Sequence, residues 1–248
     1  MSRQQPEQQA PPVQRLRVRY AKRGRLRFAS HRDFSRSFER AVFRARIPMA
    51  YSSGFNPHPR ISYAGAAPTG AASEAEYLEI ALAEVCAPDD VRASLAEAMP
   101  DGLDVLAVAD PAAGGGAPAS LSDLLQASRW TLEVAAAPDE TRAAVERLLA
   151  EESVVVERMT KKGLRAFDCR AAVVAVGVVE GDPDRAGARL DLVLQHTVPA
   201  VRPDDVLTGL TRLTGLEVGP APLLTRVEQG PLVDDGDGPP RVGDPFAG

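Results

Sequence analysis

Arg15-Leu16-Arg17-Val18-Arg19-Tyr20 alternates basic and apolar side chains with period two, the pattern of a strand buried on one side only. Arg25-Leu26-Arg27-Phe28 repeats the alternation after a Lys22-Arg23-Gly24 turn and predicts a second strand. Ser30-His31-Arg32-Asp33 has the form of a capping box, so a helix is expected from His31 to about Arg46, stopped by Pro48. Further on, the pattern predicts strands at 60–64 and 76–82, a helix at 89–98 and a strand at 103–108. The predicted order is β-α-β-β-α-β. Past the small-residue stretch PAAGGGAPAS at 111–120, a short helix at 121–127 leads into a comparable series. It comprises strands at 130–135, 154–158, 169–179, 189–196 and 223–228, with helices at 138–150 and 203–213, and is read as the same order although it holds one strand more.

A split-βαβ series with both helices on one face of an antiparallel sheet is what a ferredoxin-like domain requires. The expected fold class is therefore α+β, two tandem ferredoxin-like domains with antiparallel sheets. Their expected spans are 14–110 and 121–230, joined by the 111–120 linker and flanked by disordered tails at 1–13 and 231–248. No residue-level repeat links the halves, so the duplication is one of architecture.

At 44% hydrophobic and 25% charged, the 248 residues have the balance of an ordinary globular chain. Charge interrupts every apolar run well before the roughly 20 residues a spanning helix needs, and the Gln/Pro-rich N-terminus has no apolar signal core. A cytoplasmic location is expected. Cys86 and Cys169 are too few and too far apart for a disulfide framework or a zinc ribbon, and read as reduced core thiols.

The net charge of −5 conceals a division. Residues 1–64 hold fourteen basic groups against Glu7, Asp33 and Glu39, giving +11, and the remainder carries −16. Such asymmetry suggests a polyanion-facing end or an ion-paired surface. On a helical wheel started at Arg32, Arg36, Arg40 and Arg44 lie at about 40°, 80° and 120°, one basic stripe opposite Phe34, Phe38, Ala41, Val42 and Ala45. Phe43 falls inside the stripe, near 20°. An aromatic ring among arginines suits RNA, whose bases stack while guanidinium groups hold phosphate; the alternative is that Phe43 packs under the following loop. Arg15, Arg17 and Arg19 on the first strand, with Arg25 and Arg27, add basic faces that would fix position without reading sequence. The same residues would also suit an acidic protein partner or an ion-paired face.

Tyr51-Ser52-Ser53-Gly54-Phe55-Asn56-Pro57-His58-Pro59-Arg60 combines a rigid turn with projecting aromatic, hydroxyl, imidazole and guanidinium groups. Tyr51, Ser53, Phe55, Asn56, His58 and Arg60 are its candidate contacts. In the second half Arg158, Lys161, Lys162, Arg165 and Arg170 surround a Gly163 turn, with Asp168 expected to pair with one of them. A catalytic use of His31 with Asp33 is outweighed by capping. No phosphate-binding or dinucleotide loop, nucleophile elbow or zinc-binding His/Cys set occurs, so no cofactor or metal is expected in this chain and a non-enzymatic role is favoured. A metal-independent ribonuclease using His31 or His58 stays open.

The run K-R-G-R-L-R-F-A-S-H-R-D at 22–33, the run E-R-A-V-F-R-A-R-I-P-M-A-Y-S-S-G-F-N-P-H-P-R-I-S at 39–62, P-T-G at 68–70 and S-E-A-E-Y-L-E at 73–79 resemble the radical-SAM-linked protein family. K-K-G-x-R-x-x-D-x-R at 161–170 and R-P-D-D-V-L at 202–207 are similar to its C-terminal part. The resemblance covers roughly residues 15–228 and implies a radical SAM protein as partner, without an assigned activity. The radical SAM three-cysteine motif is absent, so the cluster is expected on that partner. Its recurrent residues map onto Lys22, Ser30, His31, Asp33, Arg40, Ser53, Gly54, Phe55, Asn56, Pro57 and Arg60, and onto Lys161, Lys162, Arg165, Asp168 and Arg170. The functional expectation is an accessory protein that binds structured RNA through a basic N-terminal surface. The alternatives are a module docking on the radical SAM partner without nucleic acid, and a ribonuclease.

Overall fold

Strand β1, Gln14–Lys22, buries Leu16, Val18 and Tyr20 on one face and turns Arg15, Arg17 and Arg19 to the other, as its alternation predicts. The computed structural model describes residues 8–115, 117–160, 163–179, 187–236 and 238–247. Lys161 and Lys162 lie outside the described residues. The chain forms two units, Met1–Asp123 with Phe246–Gly248, and Leu124–Pro245.

In the first unit the elements run β1, α1 (His31–Arg44), β2 (Ile61–Ala64), β3 (Ala72–Leu82), α2 (Pro88–Ala98) and β4 (Val105–Ala109). All pairings are antiparallel, with β1 between β4 and β3, and β2 on the other edge of β3. The spatial order is β4-β1-β3-β2. Phe34, Phe38, Ala41 and Val42 of α1 and Val91, Leu95 and Ala98 of α2 share one core with Leu16, Val18, Tyr20, Leu78, Ile80 and Leu82, so both helices cover the same sheet face. Tyr20 stacks on Phe34 at 4.2 Å and 4°, and Phe34 lies 5.8 Å from Phe38, fixing the roll of α1 about its axis.

The start of α1 is the predicted capping box: Ser30 Oγ accepts from the Asp33 N–H, and the Asp33 carboxylate accepts from the Ser30 N–H. At its other end Arg46 takes φ +54°, a left-handed position usually given to glycine, while Ile47 N–H bonds back to the Val42 carbonyl. The expected strand at Arg25–Phe28 is instead a turn of 3-10 helix, Gly24–Phe28. Antiparallel pairing of β1 to β3 ends at Lys22–Ser73, and Arg23 makes the last backbone bond on the β4 side, to Gly102. With no ladder partner beyond, the chain satisfies itself through Leu26 N–H to Arg23 O and Ala29 N–H to Leu26 O.

The second unit contains β5 (Ala127–Val134), α4 (Pro138–Ala150), β6 (Val155–Thr160), β7 (Gly163–Asp168), β8 (Val173–Val179), β9 (Ala188–Gln195), α5 (Pro203–Thr214) and β10 (Leu223–Gly230). One-turn helix α3, Leu121–Leu124, precedes it. Strands lie in the order β10-β5-β9-β8, all antiparallel, and β6 and β7 form a separate hairpin. Trp130, Leu132 and Val134 alternate inward on β5, and Leu190, Leu192 and Leu194 on β9. The expected strand from Cys169 begins only at Val173, because Asp168 accepts from the Val154 and Arg170 N–H groups at 2.9 Å each and turns the chain there. The stretch 231–248 is not wholly the disordered tail its composition suggests. Within it β11, Leu232–Val233, pairs with β12, Arg241–Val242, and Val242 packs on Ala127 and Val193. Composition averaged over eighteen residues hides the few apolar side chains that anchor them.

Both units are α+β with mostly antiparallel sheets. No helix among the described residues is long and apolar enough to cross a membrane.

Replacing Arg46 by Gly should stabilise the protein by about 1 kcal/mol, since a Cβ at positive φ is unfavourable there; denaturant unfolding of both proteins reads this directly. His196 gives a pH dependence. Its Nδ1 faces the Leu125 carbonyl at 2.7 Å and its Nε2 faces Ser128 Oγ at 3.1 Å. Burial pushes the imidazole below its ordinary value of 6.5, the Leu125 carbonyl opposes this, and Arg226 adds to the lowering. The unfolded chain therefore binds that proton more tightly, so stability is full above 6.5 and falls as pH drops towards the lowered value. Unfolding midpoints measured between about pH 8 and pH 5 should show a shallower decline in His196→Gln than in the parent.

Candidate nucleic-acid interface

Because Phe34 and Phe38 face the sheet, Arg32, Arg36, Arg40 and Arg44 point away from it and are exposed. None forms an ion pair among the described residues, and the one side-chain bond is Arg40 Nη2 to Ser37 Oγ at 3.3 Å. Phe43 stands among them 82% exposed, so no following loop covers it. Glu39, Phe43, Arg36 and Arg40 together line one open depression on the helix. Glu39 is the residue that sequence reasoning counted only as an opposing charge. The wheel carried the signal, since it falls at about 340°, beside Phe43.

The arginines of β1 lie elsewhere. They occupy the sheet face opposite α1, where Arg15 pairs with Glu79 at 2.9 Å and Arg19 Nε donates to the Glu74 carbonyl at 2.8 Å. Arg17, only 5% exposed, donates to the Ala119 carbonyl and approaches Glu79 at 3.9 Å. The fold thus separates the helix stripe from the strand arginines that share its sign. Partners on this face engage the strand set, Glu79 by charge and two carbonyls by hydrogen bonds; the helix set keeps its charge in solvent.

Lys22 is buried, with Nζ 3.4 Å from the Ala67 carbonyl and 3.5 Å from that of Pro68. Glu76, also buried, accepts the Ala67 N–H on both carboxylate oxygens at 3.2 Å. These two charges clasp the Pro68-Thr69-Gly70 loop. Gly70, at φ +98°, donates its N–H to the Arg27 carbonyl at 2.8 Å beside the exposed Phe28 ring, over which the Arg27 guanidinium sits at 4.6 Å. The residues of the P-T-G string are legible in sequence, but the burial of their clasp is not.

The 51–60 segment, expected as a rigid turn, closes as a hairpin. Tyr51 bridges Pro59, Ser52 N–H donates to the His58 carbonyl at 2.9 Å, His58 N–H donates to Ser52 Oγ at 3.1 Å, and Arg60 Nε donates to the Tyr51 carbonyl at 3.1 Å. Phe55, Asn56 and His58 project into solvent, Tyr51 is exposed, and Ser53 Oγ accepts the Gln9 N–H at 2.9 Å. Arg60 is therefore half-buried in the hairpin base.

His31 is exposed at the first turn of α1, edge-on to Tyr63 at 4.8 Å. Asp33 is turned to Ser30, whose hydroxyl and N–H hold its carboxyl below the usual range, so it does not orient the His31 ring. On the β6–β7 hairpin Arg165 is exposed opposite Arg158. Arg158 pairs with buried Asp205 and stacks on Phe167 at 4.8 Å, and Arg170 Nη1 donates to the Val173 carbonyl at 3.2 Å. Asp168 binds backbone amides rather than the guanidinium group expected, because it caps the turn into residue 170. Both cysteines are free thiols; Cys169 is fully buried and pushed up to about 11 chiefly by that burial, and Cys86 is half-buried.

What the fold and this surface define is an α+β protein that presents an exposed basic helix with an aromatic side chain inside the stripe. The chain belongs to the family described as uncharacterized protein conserved in bacteria (DUF2344), whose pattern matches residues 15–203. No curated protein matches the chain. A crystal structure of an unknown protein from Galdieria sulphuraria is similar to it over 86% of this chain and 98% of that one, at 14% identity and a TM-score of 0.24. Likeness at that level carries no argument about fold or function.

Glu76→Ala should cost about 2 kcal/mol by releasing the charge-assisted bonds to Ala67, and amide hydrogen exchange at Ala67 should accelerate while the amides of α2 stay protected.

Proposed function

We propose that the protein is a non-catalytic accessory that binds structured RNA through the outer face of α1. The observation that carries this is the stripe of Arg32, Arg36, Arg40 and Arg44, exposed and without ion pairs among the described residues, with Phe43 82% exposed inside it. Arginines four residues apart follow one helix face with Cβ atoms about 6 Å apart, which suits a run of backbone phosphates, and the ring offers a stacking platform. The exposed hairpin tip, with Phe55, Asn56 and His58, would contribute contacts to bases or to an RNA turn. Arg165 and, by sequence, Lys161 and Lys162 remain basic candidates on the second unit by itself. Arg15, Arg17, Arg19 and Lys22 have structural partners and are assigned to holding the sheet and the 65–71 loop.

The family resemblance supports a radical SAM enzyme as the partner to which that RNA is presented, acting in the cytoplasm. The strand orders β4-β1-β3-β2 and β10-β5-β9-β8 support reading each unit as ferredoxin-like, with the β6–β7 hairpin inserted in the second.

Substituting Arg36 and Arg40 together by Ala should weaken RNA binding at least tenfold at low salt. It should also lower the slope of log affinity against log salt by about one unit per arginine. Binding titrations over a salt series read both quantities. A protein with no salt-dependent affinity for RNA, or one that co-purifies with a protein partner after nuclease treatment and loses it on the same double substitution, would replace this reading with protein docking.

A further inference from the structure

We propose that the depression lined by Arg36, Glu39, Arg40 and Phe43 takes one unpaired guanine of the bound RNA, a specificity that rests on the RNA-binding reading above. It is a shallow, open hollow formed by four side chains of one helix face, so it offers a base one stacking surface and one edge contact and does not enclose it. Phosphate binding alone does not explain its composition. A carboxylate at the edge of a phosphate-binding stripe repels the backbone that stripe should hold, and Glu39 is exposed with no ion pair among the described residues to neutralise it. Phe43 in turn leaves an aromatic face in water that no neighbouring segment covers.

The two features account for each other if a base sits between the arginines. Glu39 and Phe43 are four residues apart on one helix, so their Cβ atoms are about 6 Å apart, and both side chains line the same depression. A base stacked on Phe43 therefore presents its edge to Glu39. Guanine offers that carboxylate two parallel donors, N1–H and the exocyclic N2–H, which match its two oxygens. Adenine and cytosine each set one amino donor beside a ring nitrogen acceptor, and uracil sets one N–H between two carbonyls, so each turns a lone pair towards Glu39. The base must be unpaired, because a Watson–Crick partner occupies the same edge. Arg36 and Arg40 would hold the phosphates on either side, leaving Glu39 to reject bases of the wrong edge and Phe43 to supply stacking of low selectivity.

The test uses full-length protein and a set of RNA hairpins that differ at one loop nucleotide, guanine, inosine, adenine, cytosine or uracil, in fluorescence anisotropy titrations. Guanine should bind about tenfold more tightly than adenine, cytosine or uracil, with inosine, which lacks the N2 amino group, between them. Glu39→Gln should remove the preference while keeping salt-dependent binding, and Phe43→Leu should weaken all five RNAs by a similar factor. Both side chains are exposed, so neither change threatens the fold, and matching unfolding midpoints verify this. Salt-dependent binding with equal affinity for all five, or a guanine preference that survives in Glu39→Gln, overturns this inference and leaves the RNA-binding reading standing. Absence of any salt-dependent binding overturns both.

Discussion

The roll of α1 about its own axis is fixed by a short aromatic column, and everything proposed for the surface depends on it. Tyr20 on β1 stacks on Phe34, which meets Phe38 along the helix and Tyr63 on β2 at 5.9 Å. Phe38 is fully buried, so removing its ring would cost roughly 3–5 kcal/mol and free the helix to turn. With those rings inward, an amphipathic helix has one choice for its other residues. Arg32, Arg36, Arg40 and Arg44 must face water, and Phe43 goes with them. The capping box at Ser30 and Asp33 sets where the helix begins, and with it the height of the stripe along the sheet.

Charge of one sign has two fates in this unit. On the outer face of the sheet the arginines of β1 meet Glu79 and the Glu74 and Ala119 carbonyls. Leaving Arg17 buried without such partners would be costly, and the partners keep the strand set from acting as an open anion site. The helix set is exposed and forms no ion pair among the described residues, although Glu97 of α2 lines a hollow beside Arg44, so much of its potential extends into solvent and is screened by salt. Lys22 and Glu76 show the buried form of the same logic. Each charge is spent on the backbone of the 65–71 loop rather than on a ligand, which makes them candidates for loss of stability instead of loss of binding.

Much of this was legible in the order of residues. Period-two alternation found β1, the S-x-x-D string found the start of α1, and the prolines of 51–60 announced a rigid turn, because each is a signal confined to a few consecutive positions. Local signals failed where a distant strand decided the outcome. Arg25–Phe28 alternates like a strand yet coils as a 3-10 turn, since pairing beside β1 has already run out. Asp168 lies among basic residues in sequence and binds amides in the fold, because the turn at residue 170 places N–H groups closer than any guanidinium.

For the site the division is similar. Sequence alone determined that one helix would carry arginines along one side with a phenylalanine among them, since a helical period converts spacing into direction without reference to the rest of the chain. Tertiary structure decided which arginines stay available. Whether a basic strand is open or neutralised depends on what lies across the ladder, and Glu79 opposite Arg17 is sixty-odd residues away in sequence. Only the folded sheet brings that carboxylate to β1, whereas among the described residues the stripe on α1 keeps its arginines exposed and without an ion pair.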